Sequence, residues 1–274
     1  MTFEKRIILI TGGSSGIGLA LAKQLAAQGA HVWILARDRE KLENALRSVQ
    51  QAALSESQNC GFVTADVSRY DLVQQAVGEV CEKAGTPDLV INSAGVVHPG
   101  SFLDLDIEKF RWMMDINYFG TLHTIKAVLP GMVARGSGHL VNLSSAAGFV
   151  GVYGYTAYGA SKYAVRGLSD VLRAELKPEG IDVSIVFPPD TDTPQLAYEN
   201  QFKPPETKAL AGTAKAMSAD EVASVILRGI EQGKYLILPG DTNLLFKAQN
   251  LLGGLVYPLM DFLIKRSRKS TQKL

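Results

Sequence analysis

The chain predicts a doubly wound α/β fold, one parallel sheet with helices on both faces. Three observations lead there. Short apolar, β-branched runs alternate strictly with helical patterns from residue 6 to residue 238. A glycine-rich turn joins the first such run to the first helical pattern. No repeat, low-complexity stretch or linker divides the series. With 274 residues, 46% hydrophobic and 20% charged, the chain can bury a substantial core as one unit.

Arg6 to Thr11 (RIILIT) reads as a buried parallel strand. Gly12-Gly13-Ser14-Ser15-Gly16-Ile17-Gly18 follows, then a helical pattern over Leu19–Gln28, closed by Gly29. A second apolar run spans Ala30–Ala36, and the amphipathic stretch Asp38 to about Ser55 comes after it. Further strands are expected at Gly61–Thr64, Asp88–Asn92, Gly138–Leu143, Ile181–Phe187 and Lys234–Leu238. Helices are expected between them at Tyr70–Lys83, Ile107–Arg135, Thr156–Lys177 and Ala219–Gln232. Two segments break the alternation. Pro188 to about Ala216 is long, proline-containing and irregular, which predicts a mobile lid. Residues 239–274 form a C-terminal extension.

The strand–turn–helix corner is suited to a pyrophosphate. Gly12, Gly16 and Gly18 let the backbone come close, Ser14 and Ser15 add donors, Ile17 belongs to the same cofactor-binding turn, and the helix N-terminus offers unpaired N–H groups. A purely structural turn is the alternative. The end of the second strand selects the dinucleotide, because a carboxylate there would bond a ribose 2′-hydroxyl. This chain has Arg37 and, four residues on, Lys41, with Asp38 adjacent but no acid expected to oppose them. The cations point to a 2′-phosphate and hence to NADPH/NADP+; the alternative is a solvated basic helix start. Asp66 and Val67 can flank the adenine, and Asn92-Ser93-Ala94-Gly95 brings small residues against the cofactor.

The chemistry centres on Ser145 and Tyr158-Gly159-Ala160-Ser161-Lys162. On a helix, Tyr158 and Lys162 stand one turn apart on one face. The Lys162 ammonium is expected to lower the Tyr158 pKa by favouring the phenolate. Ser145, at the end of the fifth apolar run, can hydrogen-bond a substrate oxygen beside the tyrosine. A Tyr-x-x-x-Lys pair alone would also fit a half-exposed tyrosine beside a solvated lysine.

The ordered set TGGSSGIG, Asp66, NSAG, Asn117, Ser145 and YGASK resembles the short-chain dehydrogenases/reductases over about residues 5–240. The resemblance implies a Rossmann fold with Tyr158 as acid/base and Ser145 polarising the carbonyl. It also implies that Lys162 tunes the tyrosine and holds the nicotinamide ribose, with Asn117 positioning a water that relays protons to Lys162. Pro188 would contact the nicotinamide end, although most relatives have Pro-Gly where this chain has Pro188-Pro189. That run, PPDTDTP, together with GYTAYGASKYAVRGL and KPPET, resembles the branch of the family that reduces 3-ketosphinganine to sphinganine. Relatives in eukaryotes carry an N-terminal membrane anchor before the first strand; none is expected here, so stable membrane insertion is not expected either. The family also implies a homo-oligomer. Another lipophilic ketone, of 3-oxoacyl or steroid type, is the alternative substrate. A nucleotide-sensing protein without catalysis is the alternative of another class, opposed by the intact Ser145, Tyr158, Lys162 and Asn117.

The remaining features narrow the class. Net charge is +1, which argues against nucleic acid as a partner. Cys60 and Cys81 have no Cys-x-x-Cys spacing and read as reduced residues of a cytoplasmic protein, and no signal peptide precedes the first strand. His31, His98, His123 and His139 show no ligand spacing, so no metal is expected, and they read as surface or strand-end residues. Tyr153 and Tyr155 either border a substrate channel or pack an irregular loop, and Asp104 and Asp106 are expected to cap the helix that follows. Leu244–Ile264 is apolar but interrupted by Lys247, Gln249, Asn250, Pro258 and Asp261, a poor membrane span. With the basic residues 265–269 (KRSRK) after it, the stretch 244–269 suits either peripheral contact with an anionic membrane or a subunit interface. The expected organisation is thus an NADP-binding reductase unit over 1–240, with a lid at 188–217, and an extension over 241–274.

Overall fold

A computed structural model describes residues 2–211, 216–255 and 258. Its main sheet has seven parallel strands in the order β3-β2-β1-β4-β5-β6-β9. The first six are β1 (Ile7–Thr11), β2 (His31–Ala36), β3 (Gly61–Thr64), β4 (Leu89–Asn92), β5 (Gly138–Leu143) and β6 (Ile181–Val186), and β9 (Leu236–Ile237) closes the sheet. Successive side chains of a strand point to opposite faces, and β1 displays this directly. Ile8 and Ile10 pack with helices α1 (Gly16–Ala26) and α2 (Arg39–Ala52), whereas Leu9 packs on the other face with α3 (Tyr70–Ala84). All three side chains are fully buried, each contributing about 1.5–3 kcal/mol from burial.

The expected helix Ile107–Arg135 is present with one change. It runs as α4 (Ile107–Met114), a π-helical turn over Asp115–Phe119, and α5 (Gly120–Arg135). The turn carries an extra residue per hydrogen-bonded ring and places Asn117, fully buried, beneath the site. Helix α6 (Thr156–Leu176) carries Tyr158 and Lys162.

The segment after β6 is more ordered than its composition implied. The strands β7 (Thr191–Asp192) and β8 (Met217–Ser218) pair in parallel, and between them lie α7 (Pro194–Phe202) and α8 (Pro205–Ala211). Thr193 caps α7, its hydroxyl accepting from the Leu196 amide, and Pro194 occupies the first helical position. Helix α9 (Ala219–Glu231) starts with a capping box between Ser218 and Glu221. Helix α10 (Thr242–Leu252) is anchored by Phe246, whose ring lies 5.1 Å from Phe149 and 6.1 Å from Phe187. Among the described residues no helix is long and apolar enough to cross a membrane. The basic tail, 265–273, lies outside the described residues.

Register positions the site. Thr11 aligns with Leu35 on one side and Asn92 on the other, and Asn92 aligns with Asn142. The carboxyl ends of these strands therefore open along one edge, where the chain order reverses between β1 and β4, the usual crevice of such sheets.

Candidate active site

A cavity of about 1180 Å³ runs along this edge. At one end are the turn residues Gly12 to Gly18, with Arg37, Lys41, Asp66 and Val67; Ala94 and Gly95 stand midway. Ser145, Tyr158, Lys162 and Pro188 line the other end. Sixteen of the eighteen expected site residues thus share one space. The exceptions are Asn92 and Asn117, which lie behind its wall.

Close approach requires the first of these glycines. Gly12 has φ +69°, and a Cβ on it would meet the Ala94 backbone at 2.8 Å. A Cβ on Gly95 would stand 3.4 Å from Lys162 Nζ and 3.3 Å from Asn117 Oδ1. The turn leads straight into the N-terminus of α1, whose Ser15 cap position makes no side-chain cap bond. The corner fits a dinucleotide pyrophosphate in shape and in donors.

Arg37 and Lys41 are not unopposed, contrary to expectation. Arg37 Nη1 lies 3.9 Å from Asp66 Oδ2, and Lys41 Nζ lies 3.4 Å from Asp38 Oδ2. Asp38 also caps α2 by accepting from the Lys41 amide, which holds its carboxyl below the usual range. Asp66 accepts from both the amide and the hydroxyl of Ser68. Asp66, just after β3 and 29 positions from Arg37, was invisible to local reading, whereas Asp38 stands only three positions from Lys41.

The catalytic end is assembled from β5 and α6. Ser144 donates to the Lys162 carbonyl at 2.9 Å, pinning the end of β5 to the helix. Lys162 Nζ donates to the Leu143 carbonyl at 3.0 Å. Ser145 accepts from the Ala147 amide at 3.2 Å and hydrogen-bonds the Tyr158 hydroxyl. Beneath them Asn92 donates to Asn142, which donates to Ser169 on α6, a buried polar chain that fixes strand to helix. Asn92 thus ties strand to helix under the site and does not line the cavity.

Burial dominates the electrostatics. Lys162 is 5% exposed, and desolvation brings its pKa from 10.5 to about 8. Tyr158 is raised, not lowered as expected: desolvation is the largest cause, the Ser145 hydrogen bond opposes it, and Glu199 and Asp190 add to the rise. The Lys162 ammonium, 5.7 Å from the tyrosine ring centre, does not offset this. Tyr158 thus rests as a neutral phenol.

Asn117 spends its side chain on the β4–α4 connection. Its Oδ1 accepts from the Val96 amide at 2.8 Å, and Nδ2 donates to the Val96 carbonyl and to Ser161 Oγ. Its carbonyl accepts from Thr121. A water relay from Asn117 toward Lys162 would have to use that carbonyl's second lone pair.

Sequence reasoning missed the contribution of the segment after β6. Glu199 and Lys203 there are 6% and 7% exposed. Lys203 Nζ lies 3.0 Å from both Glu199 Oε1 and Asp190 Oδ2, and the Tyr155 hydroxyl donates to Glu199 Oε1 at 3.2 Å. The signal was present: Thr193-Pro194 marks a helix start, and Glu199 precedes Lys203 by four positions. Tyr155 therefore borders the cavity, while Tyr153 accepts from Thr207 through its carbonyl and ties down α8. His98 is more than loop filling, since it hydrogen-bonds the Tyr198 hydroxyl at 2.8 Å and meets the Phe202 ring. His139 is buried and hydrogen-bonds Ser184 Oγ, and desolvation lowers its pKa to about 4. Asp106 stands at the α4 cap position without a cap bond, and Asp104 instead accepts from Ser101.

Residues 6–204 match the family model described as short chain dehydrogenase. The chain is 38% identical over 229 residues to 3-dehydrosphinganine reductase of Danio rerio, covering 83% of this chain and 69% of that protein. It is 41% identical over 235 residues to 3-dehydrosphinganine reductase TSC10B of Arabidopsis thaliana, covering 85% and 69%. Among solved structures, NAD+-bound xylitol dehydrogenase superposes with a TM-score of 0.77 at 26% identity, covering 87% of this chain and 98% of that one. With the Ser145–Tyr158–Lys162 geometry in the same cavity as the glycine corner, the chain belongs to the short-chain dehydrogenase family.

Proposed function

We propose that this protein reduces 3-ketosphinganine to sphinganine with NADPH. The observation that carries the reading is the shared cavity. Ser145, Tyr158 and Lys162 meet the glycine corner there, in a chain 38–41% identical to proteins named 3-dehydrosphinganine reductase. The dinucleotide supplies the hydride. Ser145 holds the carbonyl oxygen, and Tyr158 hands its phenolic proton to that oxygen as it gains charge. A phenol kept neutral by burial is suited to this role as an acid. The Lys162 cation steadies the phenolate left behind, and Asn117 keeps the neighbouring backbone in place.

The phosphorylated dinucleotide is favoured by Arg37 and Lys41, which are 58% and 70% exposed at the corner. Exposed pairs of 3.4–3.9 Å contribute little, so a dianionic 2′-phosphate can displace their acids. The substrate end opens beside α10, where Leu244, Leu245 and Ala248 line the cavity and Leu244 and Leu251 are 72% and 87% exposed. This rim suits a long alkyl chain drawn from a membrane surface.

NADPH oxidation by purified protein, tested against a panel of long-chain 3-ketones with product chromatography, decides the matter. Sphinganine formed from 3-ketosphinganine, at a higher kcat/KM than from 3-oxoacyl or steroid ketones, is the expected result. Turnover of only the other ketones would reject the substrate.

A further inference from the structure

A buried ion pair in a lid is an unusual use of charge. Removing two ions from water costs about what their attraction returns, so such pairs add little stability and call for another reason. Here two carboxylates, Glu199 and Asp190, share one ammonium, Lys203, and all three line the cavity that holds Tyr158. The cluster therefore carries one uncompensated negative charge when all three are ionised. Both bonds that Glu199 accepts, from Lys203 and from Tyr155, arrive on Oε1, and neither uses Oε2. The Tyr155 and Tyr158 rings are 5.8 Å apart, so Glu199 stands one aromatic ring away from the proton donor. The fields of Glu199 and Asp190 reach the Tyr158 hydroxyl, where both oppose its ionisation.

An acidic group fixed this close to a site that protonates an oxyanion would only hinder a neutral ketone. It becomes useful when the substrate brings a cation next to its carbonyl. We propose that Glu199, oriented by Lys203 and Tyr155, is the subsite for an ammonium group on the carbon adjacent to the reacting carbonyl. This rests on the reading above, in which the substrate is an α-aminoketone. The ammonium would complete the charge balance of the cluster and set the carbonyl against Ser145 and Tyr158. Ketones without the amine would leave the excess negative charge of the cluster unmatched beside the carbonyl, so the same residue would select against them.

The test is calorimetric binding, with NADP+ saturating, of sphinganine and of its amine-free 1,3-diol. Wild type is expected to bind the amine at least about 10-fold tighter than the diol. Glu199→Gln should remove most of that preference, and Glu199→Asp should restore part of it. Asp190→Asn, whose side chain is half exposed, lowers the cluster's charge without disturbing packing and should reduce the preference less. It serves as the second variant should melting reveal that Glu199→Gln does not fold. Equal loss of both ligands in Glu199→Gln, or no amine preference in wild type, overturns the proposal. The two readings separate cleanly. Reduction of 3-ketosphinganine with an unchanged kcat/KM in Glu199→Gln sinks the subsite alone, whereas amine-selective binding without reduction sinks the substrate assignment alone.

Discussion

Lys162→Met should make the protein more stable while ending its catalysis. Lys162 is 5% exposed, and burial brings its pKa from 10.5 to about 8. That gap corresponds to about 3 kcal/mol, as an order of magnitude, by which the native state disfavours the cation at neutral pH. Methionine fills a similar volume without charge. It also gives up the 3.0 Å bond to the Leu143 carbonyl, at a cost of about 1 kcal/mol. The net gain of about 2 kcal/mol corresponds to a rise in Tm of roughly 4–8 °C for a chain of this size. The pH dependence gives the mechanism away. The folded pKa lies below the unfolded one, so between pH 8 and 10.5 the unfolded chain binds the extra proton and wild-type stability rises with pH. Urea unfolding of both proteins from pH 7 to pH 10.5 should show the variant's advantage at full size below pH 8 and fading above it. A variant that is no more stable at pH 7, or whose advantage stays constant across the range, would refute a desolvated lysine.

Tyr158→Phe should lower kcat by about 100-fold or more while the NADPH affinity stays near wild type, measured by steady-state kinetics and fluorescence titration. Arg37→Ala should weaken NADPH binding about 10- to 100-fold and NADH binding little; equal losses would make Arg37 a surface cation only. The kcat/KM for reduction should fall as pH rises through about 8, where Lys162 loses its proton, and a flat profile to pH 10 would remove the lysine cation from the mechanism. Truncation after Gly240 removes α10 and the basic tail. Provided melting shows a fold, activity on vesicle-borne ketone should drop more than activity on a short soluble one, and added salt should weaken vesicle binding by the full chain.

Much of this molecule was legible because its signals are local. The alternation of strands and helices, the glycine turn after β1 and the one-turn spacing of Tyr158 and Lys162 each depend on residues within a few positions of one another. Backbone geometry turns such spacings into structure with little help from the rest of the chain. The helices of the 188–217 segment were missed for a different reason: its prolines read as breaks, although Pro194 and Pro205 each open a helix, where a missing N–H costs nothing. What only the tertiary structure decided concerns charge and burial. Asp66 faces Arg37, Glu199 and Asp190 stand near Tyr158, and Asn92 turns away from the cavity toward Asn142, all through neighbours between 29 and 50 positions away. Whether Tyr158 is raised or lowered depends on how much water the surrounding loops exclude. Solvation is a property of the packed surface, and a sequence specifies it only once long-range contacts have brought that surface together.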